Sequence, residues 1–247
     1  MSVLYLDFGN SRFKWRLSDG GITAQSYEGF DAWLHSLSGH GDLTAVVFAS
    51  VLTERRQEGI TEQLKSALSL PLQRCVVTSS ALGVQCAYRD LDRLGIDRWL
   101  AVVAAWARYG EACAVVDAGT AATLDFVDVA GHHLGGYIVS GLTLALQGLL
   151  AGTDNIRPDP AGFESAALVP GVNTAEAIYH GALYSLVALI ESSYQNLLKS
   201  FPQAKLILAG GDAALVGSHL YSQHELVEDL VFEGMQLLES AALLIDA

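Results

Sequence analysis

Two short turns in this chain carry the same pattern of residues. The first is Asp7-Phe8-Gly9-Asn10-Ser11 and the second is Asp117-Ala118-Gly119-Thr120. In each, an aspartate ends an apolar run and a glycine follows two positions later. Glycine lets the chain turn tightly and lets a ligand approach the backbone. Successive N–H groups in such a turn form a nest for an anion. The aspartate at the strand end suits a hard cation such as Mg²⁺, held directly or through water. Taken singly, Asp-x-Gly-Asn is also a common hairpin turn. Two copies at equivalent places suggest instead two turns that grip a polyphosphate from either side.

Other residues extend the inventory. Lys14, with Arg12 and Arg16, puts three of the chain's 14 Lys and Arg residues on one face of an alternating segment. Gly95-Ile96-Asp97-Arg98, downstream of Tyr88, sets an acid beside an arginine. That pairing fits a general base with an anion clamp, although it also fits an exposed ion pair on a helix. Gly135-Gly136, Gly210-Gly211-Asp212 and Asn173-Thr174-Ala175-Glu176 are glycine joints and a helix start that could meet a ring or a phosphate, or serve only as turn and cap. The chain has no Gly-x-x-x-x-Gly-Lys loop, no Gly-x-Gly-x-x-Gly turn and no Gly-x-Ser-x-Gly elbow. His132-His133 fall in an expected turn without a third ligand nearby, which argues against a metal site there.

Positioning these residues requires a fold, and the apolar pattern supplies one. Leu4–Leu6, Arg12–Leu17 and a segment around Ile22–Tyr27 read as a meander of strands. Phe30–Leu37 reads as a helix, Leu43–Ser50 as a buried strand, Thr53–Leu68 as a helix, Arg74–Thr78 as a strand and Leu91–Tyr109 as a helix. The device then restarts: Cys113–Val116, Ala122–Val129 and His133–Val139 as strands, a proline-bearing loop over Ile156–Gly171, a long helix over Thr174–Lys199, a strand at Lys205–Leu208 and a helical tail over Asp229–Ile245. We therefore expect two similar α/β lobes, residues 1–110 and 111–247, sharing a cleft.

Composition bounds the rest. The chain has 247 residues, 51% of them hydrophobic and 17% charged, enough for a sizeable core. Its formal net charge of −13 repels nucleic acid and anionic membrane surfaces at long range, so neither is an expected partner. No run is long enough to span a membrane, and the N-terminus does not read as a signal peptide. Cys75, Cys86 and Cys113 are odd in number and widely spaced, so a reducing cytoplasm is the expected compartment.

Taken together, the segments around Asp7, Gly95, Asp117, Gly135, Thr174 and Gly210 resemble those of type III pantothenate kinases, in that family's order and at compatible spacing. The family belongs to the acetate kinase, sugar kinase, Hsp70 and actin superfamily. The resemblance implies two ribonuclease-H-like lobes, an actin-like ATPase fold, with the nucleotide in the cleft between them. It implies ATP-dependent phosphorylation of pantothenate to 4'-phosphopantothenate, the first step toward coenzyme A. By resemblance, Asp7, Gly9, Asn10, Ser11 and Lys14 bind ATP with Mg²⁺, and Thr120 is a further ATP contact. Tyr88, Gly95, Ile96, Asp97, Arg98 and Thr174 bind pantothenate, with Asp97 as base. Asp117 matches a ligand of a monovalent cation. An acid beside the triphosphate is repulsive unless a cation lies between them, which suits K⁺ or NH₄⁺. The resemblance also implies a homodimer with the acceptor site near the interface. Ser11 replaces a commoner threonine and keeps the hydroxyl; Ser140 stands where many members have proline. Two other readings are a nucleotide-binding regulator on the same fold and a related kinase with a different small acceptor.

Overall fold

The computed structural model describes residues 2–18, 20–37, 41–151 and 165–247. Most of the loop expected over Ile156–Gly171, as well as Asp19 and His40, lies outside them. The chain forms two contact units, residues 1–104 with 229–247 and residues 105–228.

In the first unit, β1 (Ser2–Phe8), β2 (Arg12–Leu17) and β3 (Thr23–Ser26) form the expected meander. They are followed by α1 (Phe30–Leu37), β4 (Leu43–Ser50), α2 (Glu54–Leu68), β5 (Leu72–Arg74), a hairpin of β6 (Ser80–Ala81) and β7 (Val84–Gln85), and α3 (Ile96–Tyr109), whose last residues, from Ala105, belong to the second unit. In the second unit come β8 (Cys113–Ala118), β9 (Ala121–Val127), β10 (His133–Ser140), α4 (Leu142–Ala151), α5 (Thr174–Ser200), β11 (Lys205–Ala209), α6 (Ala213–Gly217) and β12 (Glu225–Leu226). The tail forms α7 (Leu230–Ser240) and β13 (Ile245–Asp246).

The internal repeat read from the sequence is present in the sheets. The first sheet runs β13-β5-β4-β1-β2-β3 and the second β10-β9-β8-β11-β12. In each, the first strand of the meander pairs antiparallel with the second and parallel with a later strand: β1 with β2 and β4, β8 with β9 and β11. In both sheets three strands arrive as a meander and two by crossovers, and the first adds β13 from the tail; helices can cover such a layer.

Each sheet has its own core. Around the first, Leu4, Leu6, Phe8, Phe13, Phe30, Trp33 and Phe48 are all buried, and Phe13 meets Trp33 edge-on at 4.8 Å between ring centres. Around the second, Val116, Leu124, Leu183, Ile190 and Leu208 are buried between sheet and α5. The long α5 starts with an asparagine N-cap. The Asn173 side chain accepts the Glu176 N–H at 3.0 Å, and the Glu176 carboxylate accepts the Val172 N–H at 2.9 Å. Replacing such a cap by alanine costs about 1 kcal/mol.

The contact units differ from the lobes expected at 1–110 and 111–247, because the tail belongs with the first sheet. Arg16 donates to Asp229 at 2.9 Å and to Gln236 at 2.7 Å, and Tyr5 donates to Glu239. The closing residues do not extend the helix: Ile245 and Asp246 pair with Arg74 and Gln73 of β5. Other differences are local. The helix expected from Leu91 begins at Ile96, after a 3₁₀ turn over Leu91–Arg93. The strand expected over Arg74–Thr78 ends at Arg74. The helix over Leu142–Ala151 carries no periodic signal that separated it from a turn.

Candidate active site

The two aspartates end their strands in matching registers. Asp7 pairs with Lys14 across the β1–β2 ladder and with Ala49 of the parallel neighbour β4. Asp117 pairs with Thr123 across β8–β9 and with Ala209 of β11. Both carboxylates are half-buried, whereas Asn10, Ser11 and Thr120 at the turn tips are exposed. This follows from strand geometry: each ladder runs one residue past its aspartate, to Phe8 and to Ala118, and the turn beyond projects from the sheet.

At the first turn, a Cβ on Gly9 would lie 3.0 Å from the Arg12 carbonyl oxygen, so the turn closes tightly on itself. The Tyr27 hydroxyl donates to the Gly9 carbonyl at 2.6 Å. Lys14 is half-buried beside Asp7, and Arg12 is exposed. Arg16 departs from expectation. It is 7% exposed and bound to α7, with its guanidinium 5.2 Å from the centre of the Phe232 ring. The cationic face thus consists of Lys14 and Arg12, because a residue in the tail claims the third cation.

The second turn is enclosed by glycines. A Cβ on Gly141 would lie 2.0 Å from the Gly119 carbonyl oxygen and 2.7 Å from that of Thr120. Gly210 has φ +96, and a Cβ there would lie 2.4 Å from Asp117 Oδ1 and 2.5 Å from the Ala118 carbonyl oxygen. Hydrogen bonds fix the same contacts: Gly141 N–H to Thr120 O at 3.1 Å and Asp212 N–H to Ala118 O at 2.9 Å. The Gly210-Gly211-Asp212 joint is therefore a wall of the Asp117 turn. The Asp117 carboxylate and the Ala118 carbonyl thus pack against Gly210, where no side chain fits. Among the described residues no three His, Cys, Asp or Glu side chains cluster as a metal site.

The Gly95 segment opens α3. Asp97 Oδ1 accepts the Arg98 N–H at 2.8 Å, and a Cβ on Gly95 would lie 2.5 Å from that same oxygen. Glycine is needed there so the carboxylate can fold back over the helix start. A carboxylate in the first turn is also favoured by the helix dipole. Arg98 is 5% exposed; its Nη1 lies 3.1 Å from the Tyr88 hydroxyl, and its guanidinium carbon 5.8 Å from the Tyr88 ring centre. Tyr88, Gly95, Asp97 and Arg98 are thus brought together, while Ile96 is buried and contributes packing. Thr174 lies in the second unit. It lines an apolar cavity of about 590 Å³ with Val139, Ser140, Ala145, Ile178 and Ser185.

His132 and His133 pair with separate acids, Asp128 and Asp125, each at 2.9 Å. The buried Glu191 went unremarked in the sequence. It accepts the N–H groups of Tyr221 and Ser222 at 2.8 and 3.0 Å and ties α5 to the loop before β12.

Comparison with known proteins agrees with this geometry. The family model described as type III pantothenate kinase matches residues 3–196. A type III pantothenate kinase of Marinobacter nauticus is 34% identical, with 98% of this chain and all of the relative covered. Among solved structures, a candidate Baf family transcriptional activator from Campylobacter jejuni superposes with a TM-score of 0.60. It is 21% identical over 97% of this chain and 98% of its own. The apo pSK41 ParM protein superposes with a TM-score of 0.52, at 12% identity over 97% of this chain and 96% of its own. The fold is that of the actin-like ATPases.

Proposed function

The chain belongs to the type III pantothenate kinase family, and from that premise we propose how its residues divide the work of phosphorylating pantothenate with ATP. Phosphoryl transfer asks a protein mainly for positioning and electrostatic stabilisation. The observation that carries the proposal is the Asp97–Arg98–Tyr88 cluster at the start of α3. Asp97 is the base that takes the proton of the primary hydroxyl of pantothenate as that oxygen attacks the γ-phosphorus and ADP leaves. Arg98, buried and braced by Tyr88, clamps the acceptor's carboxylate or an equivalent polar group. Gly95 makes room for the Asp97 carboxylate, and Thr174 is a further acceptor contact.

The nucleotide falls to the first turn. The amides and side chains of Gly9, Asn10 and Ser11 hold the phosphates, Lys14 offsets their charge, and Asp7 holds Mg²⁺ directly or through water. Thr120 contributes a hydroxyl from the second turn. Mg²⁺, when bound, neutralises the triphosphate. Asp117 holds a monovalent cation, K⁺ or NH₄⁺, beside the oxygens of its glycine-walled turn.

We place the protein in the cytoplasm, since among the described residues no helix is long and apolar enough to cross a membrane and all three cysteines are free. The net charge of −13 supports small molecules rather than nucleic acid or a membrane as partners. A homodimer is supported by the edge strand β10, where Leu134, Tyr137 and Ile138 are all more than half exposed; apolar side chains gathered on an open sheet edge favour a covering partner. Release of ADP, followed with pantothenate, MgATP and each variant in turn, tests these roles. Wild-type-like turnover by Asp97→Asn would remove Asp97 from the chemistry.

A further inference from the structure

Tyr27 and Arg56 belong to none of the motif segments that carry the proposed site, yet both reach the first turn. The Tyr27 hydroxyl donates to the Gly9 carbonyl at 2.6 Å. Arg56 Nη1 donates to the next carbonyl, that of Asn10, at 3.4 Å, the long end of a hydrogen bond. The two side chains also hold each other: the guanidinium carbon lies 4.0 Å from the centre of the Tyr27 ring, within cation–π range. Tyr27 is further fixed by Phe13, 5.7 Å away between ring centres.

A trans peptide unit is planar, and its C=O and N–H point in opposite directions. Holding the Gly9 carbonyl therefore aims the Asn10 N–H away from Tyr27. Holding the Asn10 carbonyl aims the Ser11 N–H away from Arg56. Two successive amides are turned outward together, which is the arrangement of an anion nest. Arg56 also stands in the first turn of α2, beside Arg55. Cations there oppose the helix dipole, so the helix itself gives no reason for an arginine at this position. Burial pushes the Tyr27 hydroxyl up to about 12 against the opposing pull of Arg56, so it remains a donor throughout the neutral range.

We propose that Tyr27 and Arg56 are positioning residues for the nucleoside triphosphate, a stacked brace that aims the Asn10 and Ser11 amides at its phosphates. This rests on the reading of the Asp7 turn as the triphosphate site. Neither side chain touches the reacting atoms. The brace acts on ground-state grip and alignment of the phosphates, not on the acceptor.

Tyr27→Phe is the informative variant, because it keeps the ring, its packing on Phe13 and its face for Arg56 while removing one hydroxyl. We expect its Kd for MgATP to rise roughly three- to tenfold, the usual worth of one hydrogen bond, with pantothenate KM unchanged and only a small fall in Tm. Arg56→Gln should weaken MgATP in the same sense. The double variant should lose less than the product of the two single losses, as expected for residues that act as a unit. Titration calorimetry with a non-hydrolysable ATP analogue, with Asp7→Ala alongside, reads all of this. MgATP affinity unchanged in Tyr27→Phe but lost in Asp7→Ala overturns the brace and leaves the triphosphate site standing. Affinity unchanged in both variants overturns the site and the brace together. Equal weakening of MgATP and pantothenate in Tyr27→Phe means general loosening, and also overturns it.

Discussion

A carboxylate's role is decided by what its neighbours leave it to do. Asp7 and Asp117 sit at equivalent points of two similar sheets, yet one faces Lys14 across its ladder and the other Thr123. The first turn therefore carries its own cation. An acid brought near a triphosphate is repelled unless a cation lies between them, and the role proposed for Asp117 is to hold that cation. From this we expect turnover to depend on K⁺ or NH₄⁺ and to fall when Na⁺ or a bulky organic cation is the sole monovalent ion. Asp117→Asn should blunt the K⁺ response more than it alters pantothenate KM; steady-state rates across a K⁺ series check it. Asp97 is expected to behave differently. Asp97→Asn should leave the fold and nucleotide affinity near wild type and lower kcat by roughly 10²–10⁴-fold, the usual worth of a positioned general base. Rapid-quench measurement of the phosphoryl-transfer step, with Tm in parallel, separates that from misfolding. That Asp7 and Asp117 lie at equivalent places in two similar sheets, and that Asp97 and Arg98 lie in the first part of a helix, was legible from residue type and spacing. Arg16 was not. Its alternation with Lys14 set it on the cationic face, and only the fold brings Asp229 and Gln236 to it from the far end of the chain.

Elements were readable where local chemistry suffices. The helix at Phe30–Leu37 and the strands at Arg12–Leu17 and Leu43–Ser50 lie where periodicity places them. Errors fall where a non-local partner or a backbone shape decides. The hairpin over Ser80–Gln85 turns on Leu82 at φ 49 and Gly83 at φ 91, and only the glycine advertises that. Leu142–Ala151 is apolar on most sides and has no polar stripe to reveal its helical period. The closing strand at Ile245 exists because β5 offers it an edge. The glycine joints were legible as joints, but not as walls of the Asp117 turn, since that is a contact between segments far apart in sequence. Gly210 is the sharpest test. A side chain there is strained at φ +96 and would also strike the Asp117 carboxylate. Gly210→Ala should destabilise the protein by about 1–3 kcal/mol and weaken the K⁺ response, while MgATP affinity at saturating K⁺ changes less. Thermal denaturation and a K⁺ titration read the two effects separately. The neighbouring Gly211, which has open space around its Cβ position, supplies the control: Gly211→Ala should be close to wild type.

Over the whole molecule, the chain enters the first unit, leaves it after residue 104 and returns at residue 229. The returning helix is integral to the first sheet. Leu230, Val231, Phe232, Met235 and Leu238 are buried, and a Cβ on Gly234 would lie 2.4 Å from the Leu100 carbonyl oxygen. Each such buried apolar side chain is worth about 1.5–3 kcal/mol, against a typical total stability of about 5–15 kcal/mol. A protein ending at Glu228 should therefore fail to fold or should aggregate, although it retains Asp7, Asp97 and Asp117; solubility on expression and circular dichroism check this. Gly234→Ala should be milder but clearly destabilising, read as a fall in Tm. The interleaving also sets an order of events at the ribosome. Residues 1–104 emerge first, but their sheet waits for its covering helix until residue 240 has been made. Meanwhile residues 105–228 have all their partners to hand. The half synthesised second is thus the one free to mature first, reversing the usual N-to-C order. A nascent chain stalled before α7 exposes the apolar face that β1 and β4 would offer that helix, so it yields a product that chaperones and proteases can recognise, not a half-working kinase.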